Sequence, residues 1–421
     1  MSARPPVAWV VGTFDTKAEE LNYLAALLRE AGVRALTVDV STGAARLPEQ
    51  AGRPDVGARE IARFHPDGED AVFGSGDRGQ AVIAMSAALC ALVSARLRDG
   101  EIGGMLGIGG SGGTSMIAPA MRLLPLGMPK LLVSTMAAGN MAPFVDVVDM
   151  TTMFPVTDIA GLNRLSRRIL ANAAHALAGM LLHPPPASGD ERPAIAISMF
   201  GVTTPCVQAI RGLLGDAYDT QVFHANGAGG RTLERLAAGG HFSVVVDITT
   251  TEVGQHLAGA VCDAGPDRLH AAAVHGLPWI GSLGALDMLN WGPIETVPER
   301  YRGRTFHVHN ANVTLMRTNA EELAAAGRVI AARLNEAAGP VWLYVPEGGL
   351  SALDTPGKPF HDPAANRVLF DTLSACFEQT ATHHLVRLPH HINDPEFAGI
   401  VAARTEQLMR ERAPAGSAER A

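Results

Sequence analysis

Short apolar runs, each closed by a glycine- or hydroxyl-rich turn and followed by a stretch of helical spacing, recur along this chain. Val7 to Val11 leads into the turn Gly12 to Lys17, and Ala18 to Ala31 then carries apolar residues at three- and four-residue intervals, the signature of an amphipathic helix. Thr16 with Glu19 reads as a capping box, which predicts the helix start there. Val33 to Val40 supplies the next strand, with Asp39 near its end. A strand, helix, strand order predicts parallel pairing through a right-handed crossover. The Gly12 to Lys17 turn then lies at the carboxyl edge of a sheet, where doubly wound folds bind ligands.

The same grammar is expected three more times before residue 183. Ala71 to Phe73 reads as a strand before Gly74 to Gly79 and a long small-residue helix to about Leu97. Ile102 to Ile108 precedes the glycine-dense stretch Gly107 to Ser115 and a helix over Met116 to Leu124, and Lys130 to Thr135 precedes Met136 to Asn140. A helical pattern from Leu162 to Leu182 is then stopped by His183 to Gly189, a proline-rich linker. Beyond it, strands are expected at Ala194 to Met199, Thr220 to Phe223, Ser243 to Ile248, Pro278 to Gly281, Thr305 to Val308, Val341 to Val345 and Leu385 to Leu388, with helices between them and after Pro395. The fold class is therefore α/β: two Rossmann-like doubly wound domains with mainly parallel sheets, over 1–188 and 189–412, and a disordered tail over 413–421.

Composition narrows the function classes. The 421 residues exceed one core, and 47% hydrophobic with 18% charged residues is a globular balance. A formal charge of -8 without a basic cluster argues against nucleic acid as partner. No secretory leader and no unbroken apolar run of membrane-spanning length is read, and Cys90, Cys206, Cys262 and Cys376 are too dispersed for a disulfide or metal framework. A cytoplasmic protein without membrane contact is expected.

Glycines before a helix let backbone N–H groups converge on an anion, and the helix start adds partial positive charge. Gly109, Gly110, Ser111, Gly112, Gly113 and Thr114 thus form a candidate phosphate cradle. Gly113 stands where a Walker A lysine belongs, and no acidic residue closes the next strand-like run, so neither a P-loop nor a dehydrogenase fingerprint is complete. The missing cation is sought in the Gly12, Thr13, Asp15, Thr16, Lys17 turn, with Arg78 as a further candidate. In the second half, His224 to Arg231 is another glycine turn able to hold a carboxylate or phosphate. Cys206 at a helix start, and His307 with His309 on one strand face, are weaker candidates for a nucleophile and a metal pair. Glu252, Asp287 and His391 could act as acid/base groups, with Arg317 holding a small anionic metabolite, if their turns converge.

Gly12 to Lys17, Gly107 to Thr114, Ser134 to Ala137, Asp158 to Arg164, Met199 to Cys206, Thr249 to Val253, Gly284 to Met288, Thr314 to Thr318 and His391 to Pro395 together resemble the signatures of the Tm-one-like ATP-binding domain family. The resemblance covers nearly the whole chain. It implies ATP binding by the first domain and a homodimer, and Mg²⁺ is then expected as a partner of the phosphates. It leaves open whether the protein is an enzyme, with the second-domain groups as catalysts, or a nucleotide-gated interaction module.

Overall fold

The computed structural model describes residues 7–43, 52–186, 189, 192–270 and 276–412. The expected tail lies outside them, as does part of the linker. The chain divides into compact units Met1–Ser188 and Gly189–Ala421.

In the first unit, β1 (Val7–Gly12), β2 (Arg34–Asp39), β3 (Gly104–Gly109), β4 (Lys130–Ser134) and β5 (Thr151–Met153) form a wholly parallel sheet in the order β2-β1-β3-β4-β5. Along β1, Ala8 and Val10 join the core under α1 (Phe14–Glu30), while Trp9 and Val11 join the core on the opposite face. Both faces are covered, so the strand reads as an unbroken apolar run rather than an alternation. Strand order reverses between β1 and β3, and their carboxyl ends flank the crevice expected of such a sheet.

Two local expectations of this unit change. Residues 71 to 73 are not a strand but part of a helical turn, α3 (Asp70–Phe73), following α2 (Ala58–Ala62); three apolar residues are too few to tell the two apart by periodicity. The long helix α4 (Arg78–Arg98) follows directly, with Asp77 accepting from the Gln80 N–H at 2.8 Å as its cap. By length and composition α4 is apolar enough to span a membrane. However, Ala81, Ala84, Met85, Ala88, Leu89, Leu92 and Val93 are buried in the unit's core, so it packs as a core helix. Finally, α1 starts at Phe14, not after Thr16. Thr13 is the cap residue without a side-chain cap bond, its hydroxyl lying 2.8 Å from that of Thr16.

The second unit repeats the plan with six parallel strands: β6 (Ala194–Met199), β7 (Asp219–His224), β8 (Val244–Asp247), β9 (Trp279–Gly281), β13 (Val341–Pro346) and β14 (His383–Leu388), ordered β14-β13-β9-β8-β6-β7. A separate antiparallel sheet, β10 (Met288–Trp291), β12 (Val313–Arg317) and β11 (Phe306–Asn310), claims the residues expected near 305 to 308.

Candidate functional site

A cavity of about 690 Å³ opens in the first unit at the β1/β3 crevice, within the size range of small-molecule sites. Three chain segments build its polar wall. β1 ends at Gly12, where a Cβ would come within 2.9 Å of the Leu21 side-chain tip, so a larger residue would push Leu21 aside where α1 packs on the sheet. Asp39, buried at the end of β2, accepts from the Phe14 N–H at 3.0 Å, the Ser41 N–H at 2.9 Å and the Ser41 hydroxyl, while Ser41 Oγ accepts from the Asp15 N–H at 3.1 Å. Burial raises the Asp39 carboxyl above its ordinary value against the pull of these bonds. Asp39 is thus a clip that holds the first turn of α1 against β2, and Asp15, Thr16 and Lys17 reach the cavity from there.

The second segment follows β3. A Cβ on Gly109 would lie 2.8 Å from the Gly113 Cα, so strand and helix approach through bare backbone. Gly110 caps α5 (Ser111–Met121) and has no side chain to offer its first amides, which a helix start must satisfy with some other partner. Gly110, Ser111, Gly112 and Gly113 all line the cavity, and a Cβ on Gly112 would meet nothing within 4 Å. The third segment is Ser75 to Arg78 at the start of α4, with Val72, Phe73, Ala81, Val82 and Met116 as an apolar wall.

Thr13, Asp15, Thr16, Lys17, Arg78, Gly110, Ser111, Gly112 and Gly113, expected from sequence, therefore line one space. Gly12 and Gly109 shape it without lining it. Thr114 is different: it is fully buried, and its hydroxyl is 2.6 Å from that of Ser134, tying α5 to β4 rather than facing a ligand. Lys17 lines the cavity but sends its ammonium to the Ile159 carbonyl at 2.7 Å. Asp15 lines it too, and its Oδ1 is buried without a hydrogen-bond partner. Thr42 and Gly43, also in the lining, were missed; their position just past β2, on the same sheet edge, was the available signal.

The candidates of the second unit are consumed internally. Glu252 is fully buried and accepts from the Gly227 N–H at 2.6 Å and the Gly230 N–H at 3.1 Å. The glycine turn at 224 to 231 does hold a carboxylate, and it is the chain's own. A Cβ on Gly230 would fall 2.1 Å from that carboxylate, which explains the glycine. Arg268, missed in the sequence, neutralises the group: its Nε donates to Glu252 at 2.7 Å, and its terminal nitrogens reach both Asp247 oxygens at 2.6 and 2.7 Å. Burial raises the Glu252 carboxyl, with Arg268 opposing.

Asp287, Arg317 and His391 do come together, as a packed cluster. Asp287 accepts from the Ser351 hydroxyl at 2.7 Å, and the Ser351 carbonyl sits 2.9 Å from His391 Nε2. Arg317 spends its guanidinium on the Phe360 carbonyl at 2.7 Å, Thr318 Oγ1 at 2.9 Å and Asn366 Oδ1 at 2.7 Å, so it is a strut and not an anion receptor. Glu252 stands apart from this cluster in the Arg268 network. Burial, and then the Asp354 charge, push the Asp287 carboxyl up to about 7. The Cys206 thiol is pushed up to about 12 by burial, which leaves no nucleophile at neutral pH. Among the described residues no group of three His, Cys, Asp or Glu side chains could hold a metal, so His307 and His309 stay a pair without a third ligand.

Residues 6–185 match the model of the Uncharacterised protein family (UPF0261) N-terminal domain, and residues 192–409 that of its C-terminal domain. A UPF0261 protein of Mesorhizobium japonicum is 52% identical over 94% of this chain and 97% of its own length. One of Clostridium tetani is 40% identical over 96% and 98%. The tomato (Solanum lycopersicum) ToMV resistance protein Tm-1 is 38% identical over 93% of this chain, which matches 54% of that longer protein. Among solved structures, a UDP-N-acetylglucosamine 2-epimerase superposes at a TM-score of 0.24 and 10% identity, over 66% of this chain and 79% of the enzyme, and says nothing of function. Two family models in tandem and full-length bacterial relatives together place the chain: it belongs to the UPF0261 family.

Proposed function

We propose that the N-terminal unit binds ATP in the β1/β3 cavity, with the phosphates on the first amides of α5 and Lys17 and Arg78 as cationic partners. The observation that carries the reading is the joining of three separate turns, at 13 to 17, 75 to 78 and 110 to 113, around one 690 Å³ space. Its uncapped helix start suits an anion, and its apolar wall of Phe73, Ala81, Val82 and Met116 suits a base. Magnesium, the usual companion of ATP, is a hard cation bound through one or two carboxylates and the phosphates, and Asp15 offers a carboxylate oxygen without a partner. With four free cysteines, a reducing cytoplasm rich in ATP is the matching location. The second-unit acids are engaged within the fold and lend no support to catalysis there.

Calorimetric titration of the full chain with ATP tests the reading. Lys17→Ala is expected to weaken binding at least tenfold, about 1.4 kcal/mol. Unchanged affinity in a folded Lys17→Ala variant would remove this site.

A further inference from the structure

Lys17 is joined to a second feature that phosphate binding alone does not explain. Its Nζ donates to the Ile159 carbonyl at 2.7 Å, and one turn along α1 the buried Glu20 accepts from the Gly161 N–H at 2.6 Å. These two bonds pin the segment Asp158 to Gly161 onto α1. The residues leading into the pinned stretch are not relaxed. Val156, a β-branched residue, sits at φ 66, where such side chains are strained by roughly 1–3 kcal/mol. The Thr157 hydroxyl is buried without a partner, and Phe154 and Val156 expose 40% and 63% of their surface. Lys17 itself departs from the helix, at φ -135 and ψ 23, at the point where its side chain leaves for the segment.

We propose that Lys17 is a latch: an anion entering the cavity draws its ammonium from the Ile159 carbonyl, and the segment Phe154 to Gly161 is released from α1. This rests on the cavity being an anion site. The driving force is the difference between the two acceptors. A phosphate oxygen carries a full negative charge, whereas the Ile159 carbonyl offers only a partial one, so the ammonium is attracted more strongly to the phosphate, and Lys17 already lines the cavity. Once the ammonium leaves, the Ile159 carbonyl has lost its partner, and the Gly161 bond to Glu20, with the buried Ile159 side chain and the Ser166 bond to the Gly161 carbonyl, is left to hold the segment against the strain at Val156. Filling of the cavity is thereby converted into a changed surface around Phe154 and Val156.

Amide hydrogen exchange on the full chain, read by mass spectrometry with and without saturating ATP or inorganic triphosphate, tests the latch. With either ligand, residues 156 to 162 should exchange at least threefold faster while residues 111 to 116 exchange more slowly. In Lys17→Met the segment should exchange fast before any ligand is added, and ligand should add nothing. Lys17→Arg, which keeps a donor, should restore slow exchange and so separates loss of the pin from general loosening. Binding detected by calorimetry without faster exchange at 156 to 162 would overturn the latch and leave the binding site standing. Absence of binding, with no protection at 111 to 116, would overturn both. A Lys17→Met protein that exchanges like the parent would overturn the latch whatever the ligand does.

Discussion

Gly112 separates the stability of the cradle from its binding. It is the second residue of α5, in helical conformation, and a Cβ there meets nothing within 4 Å. Gly112→Ala should therefore stabilise the fold by up to about 1 kcal/mol, through lower backbone entropy in the unfolded chain and better helix propensity. Gly112→Asp should also be at least as stable as the parent, because a carboxylate in the first turn of an uncapped helix gains about 0.3–1 kcal/mol from the dipole. Binding should respond in the opposite sense. A carboxylate about 6 Å from a phosphate charge, at an effective dielectric near 20, costs about 332/(20 × 6), or ~3 kcal/mol. That is a loss of roughly a hundredfold in ATP affinity. Thermal melts without ligand and calorimetric titrations with ATP read the two effects separately. The expected pair is an unchanged or raised Tm together with affinity lost in Gly112→Asp and largely kept in Gly112→Ala. A Gly112→Asp protein that binds ATP within threefold of the parent would refute phosphate placement at α5. Equal losses in both variants would show that bulk, and not charge, closes the site.

The remaining predictions concern residues the fold uses internally. Thr114→Val should lose its bond to Ser134, costing about 1 kcal/mol of stability, with ATP affinity within twofold of the parent; a tenfold loss by calorimetry would return the hydroxyl to the cradle. Glu252→Ala should cost 3 kcal/mol or more in urea unfolding, since it leaves the Gly227 and Gly230 N–H groups and the buried Arg268 without an acceptor they now share; a loss below about 1 kcal/mol would contradict its role as a strut. Asp287, with a carboxyl raised from 3.8 to about 7 by burial and by Asp354, is protonated in the folded state where the unfolded chain has already ionised. Its contribution is thus fully present below about pH 4, declines as pH rises to about 7, and is flat above. Asp287→Asn should remove that slope and gain stability at pH 8, on the order of 4 kcal/mol for three pH units; parallel Tm-against-pH curves for parent and variant would sink the assignment.

The central strands and the first-unit glycine turn were legible because their cause is local. β1 and β3 are buried on both faces and so are apolar throughout, and glycines stand where strand and helix backbones meet, as at Gly109 against Gly113. Helix phase was less visible. Ser111 and Ser115 lie on one side of α5, where the Ser115 hydroxyl donates to the Ser111 carbonyl at 2.9 Å, while Thr114 between them turns to the sheet and Ser134. Sequence spacing named all of these hydroxyls, but only packing decides which of them meets solvent. The helical turn at Asp70–Phe73 and the short antiparallel strands β10 and β12 were illegible for a related reason, since a few apolar residues take whichever structure their neighbours close around them. The second-unit acids stood out in the sequence as catalysts because a buried strut and a catalyst draw on the same residue types. What tells them apart is a partner such as Arg268, brought to Glu252 by tertiary structure alone.

The comparison between units sharpens where function lies. Read from its two-strand end, the second sheet runs β7-β6-β8-β9-β13-β14, the order β2-β1-β3-β4-β5 of the first with one strand added. Each unit carries a glycine-rich turn before a helix, of the kind that gathers amides around an anion. At Gly227 and Gly230 those amides already hold Glu252, with the buried Arg268 as the counter-charge. At Gly110 to Gly113 no side chain caps the helix, and the turn faces a cavity shared with Lys17 and Arg78. A glycine turn therefore suits an anion, but does not name its source. In the second unit the chain supplies the anion and gains rigidity. In the first no side chain takes that place, so under the proposed function ATP would supply the anion, and for that reason the first unit is where a ligand should change the protein's behaviour.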